Sequence, residues 1–177
     1  MKFETLGLSS PILNAITECG YQQLTQVQEK VIPHAIEGKD IMACAQSGTG
    51  KTASFALPVL EKLAAESLAN DSNNKPILRA LVMTPTRELA IQVCENIQKY
   101  SQFLPLKTLA VYGGANMNPQ RKGVEQGVDI LVATPGRLFD IIGQFQLDLS
   151  SVTTLVIDEA DRMLDMGFVR DIEKVNV

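Results

Sequence analysis

Five short apolar runs, at residues 40–45, 80–84, 107–112, 129–133 and 153–158, alternate with longer stretches whose apolar residues recur at helical spacing. Each run is rich in Val, Leu, Ile or Ala and is bounded by turn or capping residues, which suits a strand buried on both faces. Strands separated by whole helices are joined by crossovers, and crossovers lay strands parallel with helices covering both faces of the sheet. The expected fold is therefore α/β. Helices are expected between the runs at 51–65, 87–103, 118–126 and 137–143, before them at 9–18 and 25–36, and after them at 168–175. Residues 66–76, with Asn70, Asp71, Ser72, Asn73 and Asn74, read as a surface loop.

A length of 177 residues supports one hydrophobic core and is short for two. With 45% apolar and 20% charged residues, the balance is that of a soluble globular chain, and no apolar run reaches the ~20 residues of a bilayer span. The first residues lack the pattern of a secretory signal, so a cytoplasmic location is expected. A net charge of −4 argues against a broadly basic surface; nucleic-acid binding would need a local patch or backbone groups. Cys19, Cys44 and Cys94 have no metal-ligand spacing and read as buried free thiols.

The strongest local signal is Ala45, Gln46, Ser47, Gly48, Thr49, Gly50, Lys51, Thr52, set between an expected strand and an expected helix. Gly48 and Gly50 would let backbone N–H groups curl around phosphate oxygens, Lys51 would reach the β- and γ-phosphates, and the Thr52 hydroxyl would ligate magnesium. The bland alternative is an ordinary glycine-rich turn. A second signal is the run Leu155, Val156, Ile157 ending in Asp158 and Glu159. Adjacent carboxylates at the end of a buried strand need a cation or a reacting group. Asp158 would hold magnesium through water and Glu159 would orient and deprotonate an attacking water. Alternatively, the two acids simply favour the first turn of a helix.

Two segments echo each other: Val82, Met83, Thr84, Pro85, Thr86, Arg87 and Val132, Ala133, Thr134, Pro135, Gly136, Arg137. Thr as N-cap and Pro at the first helical position would leave free N–H groups and a positive dipole end beside each Arg. Two anion sites of one design are expected, and Gly113-Gly114 should follow the third run on the same carboxyl edge of the sheet.

Asp158, Glu159, Ala160 and Asp161 spell the motif that names the DEAD-box RNA helicases, and the chain resembles that family over nearly its whole length. Residues 45–52 are similar to motif I, Pro85 to Ala90 to motif Ia, Gly113-Gly114 to the GG motif, and Thr134 to Arg137 to motif Ib. Phe3, Gly20-Tyr21 and Gln28 resemble the upstream aromatic and the Q motif. Among subgroups the chain is most similar to the bacterial RhlE type. It departs from the usual pattern at Ser47, where Thr is common, and at Leu24 and Gln26, where Pro is frequent.

The resemblance implies a RecA-like P-loop NTPase domain over 37–177, preceded by a helical Q-motif segment over 1–36. ATP and Mg2+ would be its cofactors, with Gln28 on the adenine edge and Phe3 and Tyr21 at the ring. Pro85, Thr86, Arg87, Gly113, Gly114, Thr134, Pro135, Gly136 and Arg137 would hold the RNA sugar-phosphate backbone without reading sequence. The chain reaches Val177 ahead of a Ser-Ala-Thr motif and of a second RecA-like domain with its arginine finger. A lobe that binds nucleotide without efficient hydrolysis or unwinding is therefore expected. The rival readings are a lobe of an ATP-dependent DNA translocase and a non-catalytic adenine-nucleotide module. Among the remaining polar residues, His34 reads as structural, Arg121-Lys122 as a solvated face, and Arg162 as a tie between elements.

Overall fold

The computed structural model describes residues 2–46, 48–69, 75–145 and 147–175. Contacts divide the chain into two compact units, Met1–Ser72 with Asn96–Leu106, and Asn73–Glu95 with Lys107–Val177.

The first unit is helical. After a 3₁₀ turn, Phe3–Leu6, come α1 (Ser10–Glu18), α2 (Gln26–Ile36) and α3 (Lys51–Ala69), with α2 packed on α3 and α1 touching α3. Fully buried side chains on these helices include Ile12, Ile16, Ile32, Leu57, Leu60 and Leu63. Helix α2 starts where it does because Thr25 and Gln28 form a capping box: the Thr25 hydroxyl accepts from the Gln28 backbone N–H, and the Gln28 side chain accepts from that of Thr25.

The second unit is built on a four-stranded, wholly parallel sheet of β1 (Ala80–Met83), β2 (Thr108–Val111), β3 (Ile130–Ala133) and β4 (Thr154–Ile157), in the order β2-β3-β1-β4. Met83 lies in register with Ala133 and Ile157, and Val111 with Ala133, so all four strands end along one edge. The central strands β1 and β3 are fully buried, and the edge strand β4 is half-buried throughout. Helix α5 (Met117–Glu125) follows β2, α6 (Pro135–Phe145) follows β3, and α7 (Ala160–Asp165) and α8 (Val169–Lys174) follow β4; the core of this unit includes Leu81, Met83, Leu131, Leu138, Ile141 and Met163. Helix α4 (Arg87–Tyr100) begins in this unit, and its last residues are counted with the first. The expected α/β architecture with a parallel sheet is the one observed. Arg79 and Asp129 pin the opposite edge: their side chains pair at 2.7 Å, and the second Asp129 oxygen accepts from the Lys107 N–H at 2.9 Å.

Three local expectations need correction. Residues 40–45 form no strand, and Ile41 and Met42 are 41% and 99% exposed. An apolar run announces a preference for burial, whereas a strand exists only through ladder partners supplied by distant chain. Residues 66–69 extend α3 instead of opening a loop; 70–74 lie outside the described residues. Of the cysteines only Cys94 is buried, where desolvation pushes its thiol up to about 11; Cys19 is intermediate and Cys44 exposed.

Candidate nucleotide and nucleic-acid site

Helix α3 opens at Lys51, directly after the glycine-rich loop. Gly48 and Gly50 have φ of 80° and 84°, a region open to glycine and strained for other residues. Across the loop, the Lys51 Nζ donates to the Ala45 carbonyl at 2.8 Å, and the Thr49 hydroxyl donates to that of Gln46 at 2.6 Å. Thr52 is half-buried in the first turn. Ser47 lies outside the described residues. A cleft of about 650 Å³ runs beside the loop, lined by Thr25, Val27, Val31, Ala45, Gln46 and Thr49 among others.

Gln28 is 3% exposed and is engaged at both ends of its amide. Its Oε1 serves the capping box, and its Nε2 donates to the Gly50 carbonyl at 3.2 Å. The start of α2 is thereby tied to the glycine-rich loop. A Cβ added at Gly50 would collide with that Nε2. Gly50→Ala is therefore expected to break this tie and to strain a left-handed backbone, costing about 1–3 kcal/mol. Urea unfolding of the variant checks the cost, and unchanged stability would show that the loop can relax.

Phe3 is 3% exposed and stacks on Tyr21, with centroids 6.3 Å apart and planes at 22°. Tyr21, at 40%, is the accessible ring of the pair.

In the second unit every motif expected to touch a ligand lies where a parallel strand ends. After β1, the helix is capped by Thr86: its hydroxyl accepts from the Leu89 N–H at 3.3 Å and its carbonyl from the Ala90 N–H. The echo is therefore imperfect. After β3 the helix starts at Pro135 with Thr134 as the residue before it, as expected, but after β1 Thr84 is wholly buried and Pro85 precedes the cap. Gly136 lies exposed in the first turn of α6.

Both arginines turn toward the segment after β2. Arg87 donates to the Gly114 carbonyl at 3.3 Å and lies 5.2 Å from the Tyr112 ring centroid; Arg137, 9% exposed, donates to the Ala115 carbonyl at 3.0 Å. Gly113 is exposed beside them, and Gly114 has φ 74°. Gln120 was not anticipated. Buried at the start of α5, it accepts from the Tyr112 N–H and donates to the Tyr112 carbonyl, and so anchors the chain entering Gly113-Gly114.

At the end of β4 the Asp158 N–H still bonds the Met83 carbonyl, and one Asp158 carboxylate oxygen accepts from the Glu159 N–H at 3.0 Å. Glu159 adopts φ 52°, ψ 50°, the one positive φ outside glycine among the described residues. A left-handed glutamate costs on the order of 1 kcal/mol and points to a constraint beyond helix capping. Its carboxylate is 3.3 Å from Arg162. Ala160 and Asp161, both exposed, open α7.

Comparison with known proteins agrees with this arrangement: the family model for DEAD/DEAH box helicases matches residues 25–176. The chain belongs to the DEAD/DEAH box helicase family. A CshA ATP-dependent RNA helicase of Limosilactobacillus reuteri is 46% identical over 99% of this chain and 34% of its own length. DEAD-box ATP-dependent RNA helicase 52A of rice is 46% identical over 98% of this chain and 30% of its own. A solved structure described as a hypothetical ATP-dependent RNA helicase from Sulfolobus tokodaii superposes with a TM-score of 0.82 at 40% identity, covering 94% of this chain and 46% of that one. This DEAD/DEAH box chain thus spans about a third of the length of the curated relatives it matches, and its fold is that of a RecA-like domain. No helix among the described residues is long and apolar enough to cross a membrane.

Proposed function

We propose that the chain is the N-terminal, ATP-binding lobe of a cytoplasmic DEAD-box RNA helicase, of RhlE type within the family. In this reading 1–36 is the Q-motif segment and 37–177 the RecA-like domain. The carrying observation is the glycine-bent loop ahead of α3, in which the Lys51 ammonium is satisfied by a carbonyl of its own loop. A phosphate oxygen is a much stronger acceptor for an ammonium than a carbonyl, so an arriving nucleotide would displace Ala45 from Lys51.

The remaining roles follow from residue chemistry. Ala45, Gln46, Ser47, Gly48, Thr49 and Gly50 would offer backbone N–H groups to the phosphates, and the N-terminus of α3 adds a favourable dipole. Gln28 would read the adenine edge, with Tyr21 presenting its ring and Phe3 backing it. The Thr52 hydroxyl and the Asp158 carboxylate are each hard oxygen donors of the kind magnesium takes, so each suits that ion by its own chemistry. Bound with nucleotide, it would neutralise phosphate charge. Glu159 would orient and deprotonate the attacking water.

RNA would lie on Pro85, Thr86, Arg87, Gly113, Gly114, Thr134, Pro135, Gly136 and Arg137, held by its backbone and therefore without sequence preference. In the parent protein, a second RecA-like domain would close on this one over RNA, and ATP binding would drive local duplex separation. The test of the lobe itself is calorimetric titration with ADP and GDP, each with magnesium. ADP is expected to bind about tenfold tighter, the value of one well-made hydrogen bond to the base; equal affinities, or no binding of either, would sink the reading.

A further inference from the structure

Tyr100, the last residue of α4, is 2% exposed, and its hydroxyl lies 3.0 Å from that of Tyr21, 79 residues away in the chain. The two rings are tilted at 54° with centroids 6.1 Å apart, and Tyr21 in turn stacks on Phe3. A buried site that needed only apolar bulk would be served by phenylalanine; a buried hydroxyl costs free energy unless it is bonded. Burial first, and then the bond to Tyr21, push the Tyr100 phenol well above the usual tyrosine range, so Tyr100 keeps its hydroxyl proton across the working pH range.

Tyr21 needs such a tether. It sits in the connection between α1 and α2, where Gly20 has φ 76° and no proline stiffens residues 20–25. The left-handed Gly20 closes α1, with its N–H on the Thr17 carbonyl and the Tyr21 N–H on the Ile16 carbonyl, which fixes the Tyr21 backbone but not the side-chain torsions that aim a 40% exposed ring. Side-chain contacts set them: Phe3 through one ring face and Tyr100 through the hydroxyl.

We propose that Tyr100 is a positioning residue for base recognition: its buried hydroxyl holds the accessible Tyr21 ring in the pose that receives adenine. The inference rests on the adenine site proposed above and adds to it a residue from the end of a distant helix. Tyr100 touches no ligand and acts through Tyr21 alone. Pre-setting a ring spares the ligand the entropy of ordering it, and that saving goes to adenine, the base that Gln28 would hold by its edge against the ring in this pose.

The experiment is a double-mutant cycle with Tyr100→Phe, Tyr21→Phe and the double variant, measuring ADP and GDP affinity and thermal stability for each. Each single variant keeps both rings and removes one end of the same bond; Tyr21→Phe changes the accessible side and guards against a core variant that fails to fold. Each is expected to reduce the ADP preference over GDP about threefold to tenfold, the loss of one hydrogen bond, and the double variant is expected to be no worse than the singles. Singles that lower the melting temperature while keeping the ADP:GDP ratio within about twofold would reduce Tyr100 to a structural role and overturn the inference. Additive losses in the double variant would also overturn it, since the hydroxyls would then be acting separately. A wild-type chain that binds ADP and GDP equally would remove the adenine site itself, whereas a wild-type preference intact in both singles would remove this inference alone.

Discussion

With saturating single-stranded RNA, this 177-residue chain is expected to turn over ATP about 10³- to 10⁵-fold more slowly than a full-length relative such as the L. reuteri helicase, the range attributed to an arginine finger in phosphoryl transfer. The transition state spreads negative charge over the γ-phosphoryl oxygens and needs cations there beyond Lys51 and a metal ion. Five of the chain's six arginines have partners elsewhere, and the sixth, Arg170, lies exposed on α8. Arg79 pairs with Asp129, Arg87 with Gly114 and the Tyr112 ring, Arg121 with Glu125 and the Phe145 ring, Arg137 with Ala115, and Arg162 with Glu159. The chain covers about a third of such a relative, so the missing cation is proposed to sit on the remainder of the parent protein. A steady-state assay of both proteins under one set of conditions decides it; turnover by the chain within tenfold of the relative would mean that the cation is supplied from within these residues.

Features that depend on neighbouring residues were legible in the sequence. The helix expected over 25–36, the opening of α3 at Lys51 and the strands at 80–83, 108–111, 130–133 and 154–157 all follow from local periodicity and punctuation. Features that depend on partners far along the chain were not. Residues 40–45 have a strand's composition and no ladder, because pairing is a property of two segments and the run describes one. Thr84 and Thr134 stand in matching strings, but the β1 connection runs two residues further before its helix starts, and Thr86 takes the cap.

Within the candidate site the pattern is the same. Motif residues could be named from their order, but nothing in that order signals that Gln120 would bracket Tyr112, since its partners are backbone atoms eight residues back, in the segment after β2. Nor does it signal that Gln28 would reach Gly50, which turns two motifs read separately into one hydrogen-bonded unit. The strain at Glu159 is a backbone property and invisible to composition, yet it falls on the residue that the acid pair had already singled out as catalytic. That agreement, between a chemical argument from residue type and a geometric one from φ, is stronger than either alone.

Replacing Lys51 by Ala is expected to weaken ATP binding by about 10³-fold, because two charge-assisted contacts to phosphate, each worth about 1.5–3 kcal/mol, are lost together. The fold should tolerate the change. Lys51 is half-buried and its recorded partner is the Ala45 carbonyl, in a segment whose neighbours are exposed and can be hydrated in its place. The variant without nucleotide is therefore expected to melt within about 2 °C of the wild type, as a surface substitution does. Ligand-induced stabilisation separates the two effects. At a hundredfold excess over Kd, nucleotide adds about 2.7 kcal/mol to the wild type, and the variant at the same concentration should gain nothing measurable. Lys51→Arg should recover little, since a planar fork cannot present a compact ammonium between two phosphates. If the alanine variant keeps its ATP affinity while folded, the phosphates bind elsewhere, and the roles assigned to Thr52 and Asp158 fall with that of Lys51.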